Sequence, residues 1–134
     1  MPPPPPVPGL SPRTGLAIHR AEHERHDHHH LFPGTTAHAL HRYRTFLAPP
    51  GRSPLHPRAA ACPACPGCAL DDVRTARDVL AETLSRLPPR ARAELARTVA
   101  RLDRHYRART LPDPRAGDDA PWWHRRLGEG AEGS

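Results

Sequence analysis

Residues 70–111 read LDDVRTARDVLAETLSRLPPRARAELARTVARLDRHYRARTL, and this stretch decides the fold. Leu70, Val73, Ala76, Leu80, Leu84 and Leu87 step by three or four, which draws one apolar stripe along an amphipathic helix. Asp71 and Asp72 stand at its start, where carboxylates meet free N–H groups and the positive end of the helix dipole. Arg74 with Asp78, and Glu82 with Arg86, are oppositely charged i,i+4 pairs that favour the same helix. Pro88 drives Leu87 out of α geometry, and Pro89 suits the first turn of a second helix over 90–110. There Leu95, Val99, Leu102 and Tyr106 form the stripe, and Leu111-Pro112-Asp113-Pro114 stops it. The expectation is an all-α protein whose ordered part, 69–111, is a small antiparallel helical hairpin with a Pro-Pro joint.

Outward from this stretch the chain is poor in large apolar residues. Leu, Ile, Val and Phe number 21 of 134, below the ~20% share under which a chain reads as disordered. An α/β or barrel enzyme is excluded, because its strands are missing. The 19 Pro and 11 His lie mostly ahead of residue 62. Residues 1–61 are therefore expected to be a long disordered Pro/His/Arg-rich arm, with Pro2–Pro6 and Pro8 in polyproline II. Residues 62–68 read as a Cys-containing turn, and 112–134 as a short, partly disordered tail carrying Trp122 and Trp123. A hairpin alone buries little area, so a second copy, a partner or the two tryptophans are expected to cover it.

The chain has 20 Arg, no Lys and neither Asn nor Gln. This bias reads as a GC-rich genome, which weakens inference from the Arg count. The net charge of +6 gives a mild attraction to polyanions. No segment approaches the ~20 apolar residues of a membrane span. Met1 followed by Pro2–Pro6 has neither the basic nor the apolar region of a secretory signal. Of three cysteines at least one lacks a partner in the chain. Together these features suggest a cytoplasmic protein without membrane contact.

Three clusters carry candidate chemistry. Cys62, Cys65 and Cys68 form C-x₂-C-x₂-C with turn-forming Pro and Gly between them, and His56 is the nearest fourth ligand for zinc. The second, separated pair of a structural zinc site is missing, and Ala69 rather than a fourth Cys-Pro follows Cys68. Cys62 and Cys65 also have the spacing of a reversible disulfide, with Cys68 expected to be acidified at a helix start; the plain alternative is a loop. His19, His23, His26 and His30 share a face if that tract is helical, and such tracts take divalent metals loosely. His23-Glu24-Arg25-His26-Asp27 misses the zinc-protease H-E-x-x-H by one position. Finally, Arg90, Arg97, Arg101 and Arg104 gather opposite the apolar stripe of the second helix. Over 90–110 seven Arg face only Glu94 and Asp103, so the ridge is either a solvated face or a track for phosphates.

The function expected first is that of a small non-enzymatic accessory protein. It would bind a protein partner, or itself, through Leu70, Val73, Leu80, Leu84, Leu95, Val99, Leu102, Tyr106, Trp122 and Trp123. The rival is a metal-stabilised nucleic-acid-associated protein using Cys62, Cys65, Cys68 and His56 with the Arg ridge. A redox role of the cysteine pair ranks third, since no substrate pocket is legible. The runs from Leu87 to Leu95, Thr110 to Pro114 and Pro121 to Arg126 resemble short actinobacterial proteins over residues 62–127. That resemblance implies an origin and no mechanism.

Overall fold

The computed structural model describes residues 6–24 and 31–129. Pro2 to Pro5, and His26, His28, His29 and His30, lie outside the described residues. Among the described residues there are four α-helices and no strand: α1 (Pro12–His23), α2 (Thr35–Leu47), α3 (Val73–Arg86) and α4 (Pro89–Arg109). Short 3-10 turns occupy Cys68–Asp71 and Trp122–His124. None of these helices is long and apolar enough to cross a membrane.

The chain is all-α, as its periodicity implies, and α3 and α4 fall where the apolar stripes place them. Asp72 caps α3 by accepting from the Arg74 N–H at 2.9 Å. Glu82 and Arg86 form their i,i+4 pair at 2.7 Å. Arg74 does not pair with Asp78, because its guanidinium turns back onto Asp72 at 2.9 Å. Leu87 is extended, Pro88 precedes the first helical residue, and Pro89 opens α4.

Two expectations are corrected. The stretch read as an arm without order contributes α1 and α2, and both pack into a single core with α3 and α4. The tightest packing then joins α2 to α3 and α1 to α4, rather than α3 to α4 as in an isolated hairpin. The physical reason is that α1 and α2 bury only a few large aliphatic residues among many small and hydroxylated ones. Thr14, Gly15, Ile18, Ala21 and Glu22 face inward from α1, and Thr35, Thr36, Ala39, Leu40, Tyr43 and Leu47 from α2. Counting Leu, Ile, Val and Phe misses such faces. Their hydroxyls are satisfied where they meet: Thr36 and Thr83 share a hydrogen bond at 3.0 Å, and Thr83 also donates to Val79 O.

The helix ends are closed by side chains from other elements. Ser11 caps α1 with Pro12 in its first turn. α2 starts at Gly34, whose φ of +85° suits glycine, and no side chain of its own caps it. Instead the buried Glu22 of α1 accepts from Gly34 N at 3.0 Å and Thr36 N at 2.8 Å. Arg92 of α4 donates to Leu84 O and Leu87 O at the end of α3. Arg126 donates to Arg107 O and Thr110 O at the end of α4. That last cap folds the tail back along the chain, with Leu127 N on Leu111 O and Asp113 N on Arg125 O.

The apolar residues expected to form a docking face lie inside this core. Leu70, Val73, Leu80, Leu95, Val99 and Tyr106 are all buried, while Leu84, Leu102, Trp122 and Trp123 pack at its margin. A chain beginning at residue 62 uncovers this core. Exposing Leu70, Val73, Leu80 and Leu95 forfeits ~1.5–3 kcal/mol each, a total comparable with the ~5–15 kcal/mol stability of a whole domain. Far-UV circular dichroism on that shortened chain should show loss of the cooperative melt that the full chain gives. A sharp melt retained by 62–134 would restore the independent hairpin.

Candidate functional site

The core is crossed by a charged bridge that sequence spacing did not reveal. Asp103 of α4 accepts from Arg77 Nε at 2.9 Å and Arg77 Nη2 at 3.1 Å, and from the Tyr43 hydroxyl of α2 at 2.8 Å. The pair is largely out of water, with side chains 10% and 18% exposed. Burial, and then the Asp103 carboxylate beside it, push the Tyr43 phenol far above its usual range. The face of Trp123 covers the Arg77 guanidinium at 4.0 Å. Trp123 in turn donates to Asp78 at 2.8 Å, and the same carboxylate holds His124. Tyr106 sits beneath, edge-on to Tyr43 and Trp122 at 5.7 and 5.8 Å, and donates to Trp123 O. This constellation holds three helices and the tail in register.

The surface of α4 is different. Arg90, Arg97, Arg101 and Arg104 are all exposed. The two acids of α4 are both taken elsewhere. Asp103 serves Arg77 and Tyr43, and Glu94 accepts from Ser11 N, Ser11 Oγ and Thr14 Oγ1 at 2.5–2.8 Å. The Ser11 N–H is the largest of several contacts that hold the Glu94 carboxyl below its ordinary value. Among the described residues no ion pair neutralises Arg90, Arg101 or Arg104, and Arg97 has only the nearby Glu94 charge. The ridge expected from the helical wheel thus lies on one exposed face, with the Glu94 charge near Arg97 and no ion pair among the described residues at Arg90, Arg101 or Arg104.

Cys62, Cys65 and Cys68 are free thiols in the turn ahead of α3. The order of acidity differs from expectation. Cys65, rather than Cys68, is lowered, because its sulfur accepts from the backbone N–H and thiol of Cys68 and from Gly67 N–H. Cys68, donating to that sulfur, is pushed up to about 11. The Cys62 sulfur adds a smaller contribution that also raises Cys68. His56 lines a separate pocket with Arg42, Phe46 and Asp71. Among the described residues no group of three or more His, Cys, Asp or Glu converges as a metal site requires.

One pattern was passed over in the sequence. His19-Arg20-Ala21-Glu22-His23 has the order H-x-x-E-H, on a helix, as in one class of zinc protease. Both oxygens of Glu22 are occupied at the start of α2, so the carboxylate is not available as a general base. The two histidines remain.

With this geometry in view, comparison adds nothing: no family model, curated protein or solved structure matches the chain.

Two predictions follow from the bridge and the turn. Asp103→Asn strands the buried Arg77 cation and should cost about 3–5 kcal/mol, whereas Tyr43→Phe removes one bond and should cost about 0.5–1.5 kcal/mol. Urea titrations of both variants check the ranking. Timed iodoacetamide labelling with peptide mass spectrometry should find Cys65 modified first at neutral pH and Cys68 last. Replacing Cys65 by Ser should speed labelling at Cys68, since the sulfur that raises it is gone.

Proposed function

We propose that the chain is a small non-enzymatic accessory protein that binds the phosphate backbone of nucleic acid through the exposed Arg face of α4. One observation carries this: both carboxylates of α4 are engaged away from the ridge, so Arg90, Arg97, Arg101 and Arg104 present their charge outward. From Arg90 to Arg104 the helix rises ~21 Å at ~1.5 Å per residue, a row matched to a few consecutive phosphates. No Asn or Gln exists to read adenine edges, and a straight row of Arg spaced along one helix face suits the repeating phosphates of the backbone.

Docking of a protein partner, or of a second copy, through the apolar stripe has less behind it, because Leu70, Val73, Leu80, Leu95, Val99 and Tyr106 are buried and only Leu84, Leu102, Trp122 and Trp123 of that face are partly accessible. Among described residues the large apolar side chains left exposed are Leu16 and Leu111, at opposite ends of the helical region. Zinc on Cys62, Cys65, Cys68 and His56 has less behind it than the Arg face. The core closes through α1 and α2, and His56 faces Arg42 and Asp71. A cytoplasmic setting belongs to the same proposal and is supported by three free thiols.

Fluorescence anisotropy with a labelled DNA duplex of arbitrary sequence tests the proposal across a salt series. Four phosphate contacts imply a log–log slope near ~−3.6. Each Arg→Ala change at 90, 97, 101 or 104 should reduce that slope by roughly one contact, with little dependence on sequence. If the quadruple Ala variant binds as tightly as the parent chain, the ridge is only a solvated face.

A further inference from the structure

We propose that His19 and His23 form a chelating pair for a late first-row divalent metal, exemplified by Zn(II), at the mouth of a cavity between α1 and the start of α2. The two residues stand one helical turn apart near the end of α1, so their side chains leave the same face. Their rings are already together, with centroids 4.0 Å apart and planes tilted by 41°. Histidines at i and i+4 on one helix face are a known zinc-binding spacing, and a spreading of these rings by about 1 Å lets one nitrogen of each share an ion at the ~2.0–2.1 Å expected for Zn–N bonds.

The hydrogen bonding also prepares one ring. His23 Nδ1 lies 2.8 Å from the carbonyl oxygen of His19. A carbonyl only accepts, so Nδ1 carries the proton and the neutral ring offers Nε2 as its lone pair. A metal-ligating histidine is commonly oriented this way by a backbone carbonyl behind it.

The surroundings favour a cation with open positions. The pair borders a cavity of about 340 Å³ floored by Val7, Ile18 and Pro33, and Glu22 lines the same space. Glu22 spends its hydrogen-bonding capacity on Gly34 N and Thr36 N, and its charge lies one turn along from His19. Two protein ligands leave the remaining positions to water or to a small molecule entering the cavity. Imidazole donors suit Zn, Cu and Ni ahead of Mg or Ca. The pair is distinct from the cysteine turn and from the Arg face, so this inference stands or falls independently of the proposed function.

The full-length chain tests it in a background that removes competing ligands: Cys62, Cys65 and Cys68 to Ser, and His26, His28, His29 and His30 to Ala. Isothermal titration with Zn(II) alone should give one site per chain, and metal should raise the melting temperature. His23→Ala alters an exposed side chain, so the fold persists by circular dichroism, and the dissociation constant should rise at least tenfold. His19→Gln should do the same while leaving the helix length unchanged. A background chain that binds no Zn(II) overturns the proposal, as does a folded His23→Ala chain with undiminished affinity. Retained affinity in a folded His19→Gln chain also overturns it.

Discussion

The bidentate contact between Arg77 and Asp103 is the constraint on which the rest depends. It joins α3 to α4 where little water reaches it, and Tyr43 brings α2 to the same carboxylate. A charge pair so placed is tolerated only when its remaining hydrogen-bonding capacity is largely met. The Tyr43 hydroxyl meets the carboxylate and the Trp123 face lies against the guanidinium, each only with its own element docked, while Arg77 Nη1 is buried with no hydrogen-bond partner among the described residues. The position of α2, the return of the tail and the packing around Tyr106 all follow from keeping Asp103 and Arg77 together.

Arginine takes a second role here that its abundance alone hides. With no Lys, Asn or Gln, the chain relies on guanidinium to satisfy carbonyls left over at helix ends. Arg92 closes α3 and Arg126 closes α4. Arg109, buried, donates to Pro49 O and Ser53 O and so fastens the segment between α2 and α3. A planar fork of five donors suits this work, since one side chain reaches two carbonyls at once. The positive charge of the chain is thus divided. Some arginines hold the fold, and others, on the outer face of α4, are left to meet solvent or a polyanion.

That division connects fold to function. Helix α4 carries Asp103 toward the interior and Glu94 toward the start of α1, and each is consumed in positioning another element. Packing α1 and α2 against the helices therefore also draws both carboxylates of α4 into contacts with other elements, although the Glu94 charge still lies near Arg97 of the outer face. A phosphate backbone meeting that face would displace few internal ion pairs. The cavity at the end of α1 lies beside the same packing: Glu22 reaches across to α2, and His19 and His23, one helical turn apart, line the same space.

Much of α3 and α4 was legible in the residues themselves. Leucine and valine at three- and four-residue steps, Asp72 at a helix start and Pro88-Pro89 at a joint act within a turn or two of the chain, so local physics suffices to place them. The Arg ridge was legible for the same reason, being a property of one helix wheel. What α1 and α2 do was not. Their inward faces mix three large aliphatics, Ile18, Leu40 and Leu47, with Thr14, Thr35, Thr36, Gly15, Ala21, Ala39 and Tyr43, and the hydroxyls among them are buried favourably only where another helix supplies a partner. Nor does spacing show that Arg77 seeks Asp103, that Arg126 caps α4, or that Cys65 rather than Cys68 is acidified. Those depend on groups far apart in the chain, or on the path of one turn, and only the folded backbone brings them within hydrogen-bond reach. The sequence by itself determined the two helices whose apolar order is periodic. The tertiary structure decided what covers them, because that cover sets a few large residues, Ile18, Leu40, Tyr43 and Leu47, among polar and small ones that become a core only in company.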